Sequence, residues 1–293
     1  MRGIKRGKGS IMDSKSRNAT LIVGLTIAGM ICAQAETRKE MHFKVGRHAT
    51  VSITNQFGPI SVRPAVGREV VVTAILSSDK VEVDQNQRGS RVDIFSHLLP
   101  NADATSGQVS YDVAVPADAS IVLHSTDGQL RAEKMRGDVD FEEATGDVDL
   151  RDFSGAHVHI KTLDGPVTLT NIQDGYIEIT SMGGDVVMNA VSGPMVQVNS
   201  VSGKILYDGD FGAGGEYVLT SHTGDIEAQA PAYASIDVFA RSVTGPVVND
   251  FTLEPEHTPF AIKAGSAFAG TVNKAASKVK LLSFSGKIHL KKR

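Results

Sequence analysis

The chain has a single cysteine, Cys32, in 293 residues, no tryptophan, and only 5% aromatic residues. One cysteine excludes an internal disulfide framework and a cysteine-type structural zinc site, although an exported compartment would permit disulfides. Basic residues are not in excess, since 30 Lys+Arg against 33 Asp+Glu give a net charge of −3. Nucleic acid, which requires a basic surface, is therefore not an expected partner. Long apolar runs are missing too. The stretch from Thr20 to Cys32 has 13 residues, where about 20 are needed to span a bilayer.

That short run follows a basic stretch (Arg2, Lys5, Arg6, Lys8, Lys15, Arg17) and precedes Ala33-Gln34-Ala35, the small-x-small pattern of a signal-peptidase site. The combination predicts a signal peptide over residues 1–35, cleaved before Glu36. Met12 as the true start, and a retained membrane anchor, are the alternatives. Lipidation of Cys32 is disfavoured because Gly29-Met30-Ile31 offers no small residue immediately before it. Removal of 1–35 leaves 258 residues with no cysteine, 24 Lys+Arg and 32 Asp+Glu, a net charge of about −8. No integral membrane span is expected after signal removal. Residues 36–293 read as one domain held by core packing, exported to the periplasm, cell surface or medium; a chain of this size can bury an adequate core.

What is present is a repeat. Gly128, Gly146, Gly165, Gly184, Gly203, Gly224 and Gly245 are spaced by 18, 19, 19, 19, 21 and 21 residues, a period that marks a solenoid. Seven positions before the glycine stand Ile121, Val139, Val158, Ile177, Val196, Tyr217 and Val238. Five before it stand Leu123, Phe141, Ile160, Ile179, Val198, Leu219 and Ala240, with a mostly polar column between. Two after it come Leu130, Val148, Val167, Val186, Ile205, Ile226 and Val247, and four after it Ala132, Leu150, Leu169, Met188, Tyr207 and Ala228. Alternation with period two predicts strands with one buried face. The fold class expected is all-β: a parallel β-solenoid of 18–21-residue coils, two main strands and about four inward apolar side chains per coil. No coil can bury its core face alone, so stacking must supply the stability.

A second glycine half a coil later (Gly137, Gly155, Gly175, Gly193, then Gly214 or Gly215) predicts a second bend, and positive φ is the expected reason for glycine at both bends. Three positions before the first glycine lies a hydroxyl column, Ser125, Thr162, Ser181, Ser200, Ser221 and Ser242, with Ser283 before Gly286. Stacked hydroxyls are expected to bond the neighbouring coil rather than a ligand. The frame extends to Gly58 and Gly286 but degrades over 68–115 and 251–272, which are expected to be irregular coils; atypical ends are normal, because solenoids need caps. The lysine-rich end, Lys287 to Arg293, reads as protection of an exposed edge.

Motifs that carry chemistry are sparse. His157 and His159 share the outward face of a strand, the geometry that could clasp a metal, but no third ligand recurs in the next coil. The Gly-Asp-Val triplets at Asp138, Asp147 and Asp185, and Gly-Asp-Ile at Asp225, lack the denser glycine/aspartate pattern of calcium-binding β-roll repeats. A glycosidase would need two carboxylates about 5 to 9.5 Å apart in a groove; Asp147 and Asp185 lie two coils apart, and Asp127 and Asp164 skip Thr145. Asp149 beside Arg131 and Thr168 reads as a solvated face. Neither a nucleophile elbow nor a phosphate loop occurs. No catalytic, metal or cofactor-binding residue is therefore assigned, and no ligand-binding residue can be named.

Three segments resemble the bacterial putative-adhesin family, an uncharacterised family of exported β-solenoid proteins: Ile53-Thr54-Asn55-Gln56-Phe57-Gly58-Pro59-Ile60-Ser61-Val62, Val115-Pro116-Ala117-Asp118-Ala119-Ser120, and the Thr/Ser-x-x-Gly-x-Val units from Ser125 to Val247. The resemblance covers residues 42 to 293. It implies a role at the cell envelope without a ligand, and supplies no catalytic or binding residue. The expectation is a non-enzymatic, exported scaffold for adhesion or surface interactions, with cell-surface or envelope polymers as partners. A carbohydrate-active β-helix enzyme, polysaccharide lyase or hydrolase, and an envelope structural protein that polymerises end to end are the alternatives; the oligomeric state is not readable.

Overall fold

The computed structural model describes residues 36–255 and 265–293. The predicted signal peptide, including Cys32, and part of the 251–272 segment lie outside these residues. Every regular element described is a β-strand, and the strands form two 12-stranded sheets. The predicted columns are the pairing register. Val139 pairs with Val158, which pairs with Ile177, then Val196, then Tyr217; Val148, Val167, Val186 and Ile205 follow one another in the other sheet. All of these are parallel pairs, so successive coils stack at the ordinary strand spacing of about 4.8 Å. The inward columns are buried, with Val247 partly so.

A fifth inward column escaped the alternation. Lys134, Asp152, Asn171 and Ala190, six positions after the glycine, all take positive φ between 53° and 59°. That left-handed residue turns the chain and drives the next side chain, Met135, Phe153, Ile172 or Val191, into the core. The second bend therefore takes its positive φ mostly from non-glycine residues; of the half-coil glycines first named there, only Gly155 and Gly214 have it.

The glycines of the main column are present for another reason. A Cβ built on Gly146 would strike the Gly128 carbonyl, one on Gly165 the Gly146 carbonyl, and so on up the stack. Successive bends approach backbone to backbone, and any side chain would wedge the coils apart. The positive-φ expectation holds in this column only at Gly58.

Coil order departs from sequence order at both ends. The strands Ser277–Ser283 and Ile288–Lys292 lie between the coil of Glu216–Ser221 and Ile226–Ala230 and the coil of Ile236–Ser242 and Val247–Asn249. The same glycine contacts report it: Gly286 sits on Gly224, and Gly245 sits on Gly286. The lysine-rich last strand is thus interior, paired on both edges, and does not protect a sheet edge. A lysine-rich edge strand is therefore not available to oppose end-to-end polymerisation. At the other end, Arg91–Leu98 and Val109–Pro116 form the outermost coil, beyond Thr50–Phe57 and Ile60–Ala65.

Antiparallel strands close both ends. Glu69–Leu76 and Thr37–Lys44 cover one sheet, and Val81–Arg88 covers the other. Ala267–Val272 pairs antiparallel with Ile236–Ser242 at the far end. The segments read as irregular coils, 68–115 and 251–272, thus supply the closing strands apart from Thr37–Lys44; 68–115 also contributes the outermost parallel coil. The lengthening to 21 residues after Gly203 is taken up by residues 209–215. There Tyr207, Phe211 and Tyr217 pack ring against ring at 4.5 to 5.6 Å between centroids.

Candidate functional site

The hydroxyl column turns inward. Thr162, Ser181, Ser200, Ser221, Ser242 and Ser283 are buried, so no ligand meets them. Ser181 and Ser200 donate to the carbonyls of Gly184 and Gly203 at 2.7 and 2.9 Å, while Gly165 and Gly286 N–H groups donate to Thr162 and Ser283. These bonds close each bend within its own coil, the local turn chemistry of Ser and Thr. Ser242 alone among these bonds across, to the Gly286 carbonyl at 2.9 Å. The hydroxyls that tie coils together stand two positions further on. Thr145, Ser202, Thr223 and Thr244 donate to the carbonyls of Thr126, Met182, Val201 and Phe284 in the neighbouring coil.

Between these two hydroxyl columns lies one that points outward and is apolar. In spatial order it runs Ala144, Leu163, Met182, Val201, His222, Phe284 and Val243. Leu163, Met182, Val201 and Phe284 are each about half exposed, between 47% and 54%. His222 stacks on Phe284 with centroids 5.0 Å apart and planes at 16°. The ladder beneath is continuous: Met182, Val201, His222, Phe284 and Val243 N–H groups each donate to the preceding coil at 3.0 to 3.3 Å. An alternating strand would place a residue beside a buried hydroxyl outside, where a polar side chain is the default. Four of the five consecutive rungs from Leu163 to Phe284 depart from that default, the fifth being His222, and the hydrogen-bonded bends hold their side chains at fixed spacing. Lining up the column two before the glycine would have revealed the ridge; reading only the inward columns passed over it.

The residues weighed for chemistry are placed apart from the ridge. His157 lies against Tyr176, 4.9 Å between ring centroids, and His159 Nδ1 is 3.0 Å from Asp140. Among the described residues no group of three His, Cys, Asp or Glu could hold a metal ion. The Gly-Asp pairs act structurally: Asp138, Asp185 and Asp225 accept the N–H of His157, Lys204 and Lys287 in the neighbouring coil. Asp149 differs from its solvated reading. It is buried, with Arg151 bidentate from 2.8 Å and Arg131 at 3.4 Å, and the hydrogen bonds to the Asp149 carboxylate raise the Arg151 pKa further.

Other shifted groups have structural causes. Burial pushes the Tyr111 hydroxyl up to about 12 while it bonds Ser96 at 2.8 Å. Hydrogen bonds that the His42 ring donates to the Glu40 and Glu69 carboxylates hold this exposed histidine above its ordinary value. The depressions on the sheet faces are shallow. One of about 360 Å³ adjoins the Leu163 end of the ridge, lined by Asn55, His124, Ser125, Glu142 and Glu143 among others.

Solved structures resemble the chain, two of them described as adhesion proteins. A putative cell adhesion protein from Clostridium sporogenes ATCC 15579 is 12% identical, with 88% of this chain and 100% of that one covered and a TM-score of 0.26. A putative adhesin from Bacteroides fragilis NCTC 9343 is 13% identical over 88% of this chain and 98% of its own, with a TM-score of 0.41. No curated protein matches. Residues 48–291 match the model of the Toastrack DUF4097 family, and with most of its length inside that match the chain belongs to this family.

Proposed function

We propose that this protein is an exported, non-enzymatic scaffold that binds cell-surface or envelope polymers along the apolar ridge from Leu163 to Phe284. The observation that carries the reading is the ridge itself: four half-exposed apolar side chains and the stacked His222 ring on five successive rungs, fixed by backbone bonds and flanked by hydroxyls. Contiguous exposed apolar surface marks interaction sites, and a rigid surface loses little side-chain entropy on binding. Multivalent contact along a row of repeats also suits a polymeric partner better than a single pocket would. Export rests on the basic, apolar and small-x-small sequence of residues 1–35.

The test is a binding screen of residues 36–293 against envelope polymers and glycans, with Met182→Glu/Val201→Glu in parallel. Retention of the wild type on one polymer class, reduced at least tenfold in the variant, is expected. Binding to nothing, or equal binding by both proteins, overturns the reading. Turnover of a polysaccharide in the same screen would replace it with the enzyme.

A further inference from the structure

Residues 36–293 contain no cysteine, no tryptophan and five methionines: Met41, Met135, Met182, Met188 and Met195. A peroxide meeting this surface therefore finds thioether sulfur as its most reactive target. Burial ranks the five. Met188, in the inward column four after the glycine, and Met135, which follows the left-handed residue, are 0% and 1% exposed, and Met41 is buried as well. Met195, the first residue of its strand, is partly buried. Met182, on the ridge, is 53% exposed.

The bend explains that exposure. Ser181 turns into the core and donates to the Gly184 carbonyl at 2.7 Å, which sends Met182 outward. The next residue is Gly183, whereas Asp164, Ser202, Thr223 and Ser285 fill that place after Leu163, Val201, His222 and Phe284. Of the five ridge rungs, Met182 thus stands on the one whose following residue has no side chain to shield it. Its backbone is held on both sides. The Met182 N–H donates to the Thr162 carbonyl at 3.2 Å, and the Met182 carbonyl accepts the Ser202 N–H and hydroxyl, both at 3.0 Å.

We propose that Met182 is an oxidation site through which hydrogen peroxide switches the ridge off, a regulation that rests on the ridge being the binding surface. A lone pair of Met182 Sδ attacks one peroxide oxygen, and the S–O bond forms as the O–O bond breaks. The departing hydroxide takes the proton left on the transferred oxygen. Sulfur loses two electrons, and the peroxide is reduced to water. The sulfoxide puts a polar, chiral acceptor where a pliable apolar side chain stood. Leu163 and Val201 lie one strand spacing away on either side, about 4.8 Å, so a hydrated sulfoxide cuts Leu163 off from Val201 and the stacked His222–Phe284 pair. The exposed thioether takes no part in the backbone ladder. The surface changes while the fold keeps its stability.

The test treats residues 36–293 with hydrogen peroxide and follows each methionine by peptide mass mapping, with thermal unfolding and retention on a phenyl matrix measured on the same samples. Met182 should gain one oxygen roughly tenfold faster than Met41, Met135 or Met188, in keeping with its exposure. Protein oxidised at Met182 alone should leave the phenyl matrix earlier than untreated protein and unfold at the same temperature. Methionine sulfoxide reductases of both epimer specificities should restore the retention, and Met182→Leu should keep its retention through the treatment. Oxidation of Met195 or a buried methionine ahead of Met182, or unchanged retention of the Met182 sulfoxide, overturns the proposal. These readouts need no polymer. A binding screen without a hit would overturn the ridge as a binding surface and leave the oxidation rates standing; a polymer held equally by thioether and sulfoxide protein would overturn the switch alone.

Discussion

Replacing Gly165 with alanine tests the claim that close backbone approach, and not left-handed φ, places glycine at the main bend. The new Cβ would fall inside van der Waals contact of the Gly146 carbonyl, with the Gly146 carbon and nitrogen close behind. Backbone atoms cannot swing away, so the two bends must separate. The separation breaks the rung bonds nearest the clash: Leu163 N–H to Glu143 at 3.2 Å, Asp164 N–H to Ala144 at 2.9 Å, and Val148 N–H to Pro166 at 2.9 Å. At 0.5–1.5 kcal/mol each, three lost bonds amount to about 3 kcal/mol, or roughly 6–12 °C in Tm for a domain of this size. Gly155→Ala is the control. It has positive φ (66°) but nothing within 4 Å of the built Cβ, so only the conformational cost of about 1 kcal/mol applies. Thermal unfolding followed by far-ultraviolet circular dichroism gives both values. Equal losses in the two variants, or a Gly165→Ala protein within about 0.5 kcal/mol of wild type, would refute the close-approach reading, since a loss that size is an ordinary surface effect.

Ala190 holds φ of 53° without the freedom of glycine, so Ala190→Gly should be neutral to stabilising, by up to about 1 kcal/mol; a loss above about 1 kcal/mol in urea unfolding would count against strain there. Tyr217→Phe removes a hydroxyl that donates to the Gly193 carbonyl and accepts its N–H, both at 3.2 Å. It should cost about 1–2 kcal/mol by leaving those groups unpaired, with amide exchange at Gly193 accelerated; unchanged exchange would contradict the assignment. Ending the chain at Ala276 removes the coil between Glu216–Ala230 and Ile236–Asn249, leaving two facing pairs of open sheet edges. The truncated protein should be protease-sensitive or associate, and a stable, protease-resistant monomer of it would contradict the observed coil order.

The residues differ in what the chain disclosed about them. The columns of Ile121, Leu123, Leu130 and Ala132 were legible because period-two burial depends only on local alternation, which sequence records. Coil order was not: a strand such as Ser277–Ser283 offers the same columns to any neighbour, and nothing local says it slips in front of Ile236–Ser242. The main glycines were found correctly but explained wrongly, because close approach involves a residue about 19 positions away. The fifth core column stayed hidden because Asp152 and Asn171 reverse the chain before Phe153 and Ile172, which breaks the alternation. Glu143 at a serine position and the apolar run from Leu163 to Phe284 were both readable in alignment. Neither belongs to a buried apolar column, so period-two burial does not point to them.

The intercalated last coil also decides how the protein would answer a pull. In a solenoid whose chain ends at its outermost coil, tension on that end peels one coil at a time, loading few hydrogen bonds at once. Here Arg293 follows directly on Ile288–Lys292, a strand bonded on both edges, to Ile226–Ala230 and to Val247–Asn249. Force entering there must drag a strand lengthwise between two neighbours, loading both ladders together in shear. The strand Ile288–Lys292 therefore behaves as a bolt through the stack, and mechanical failure should begin elsewhere.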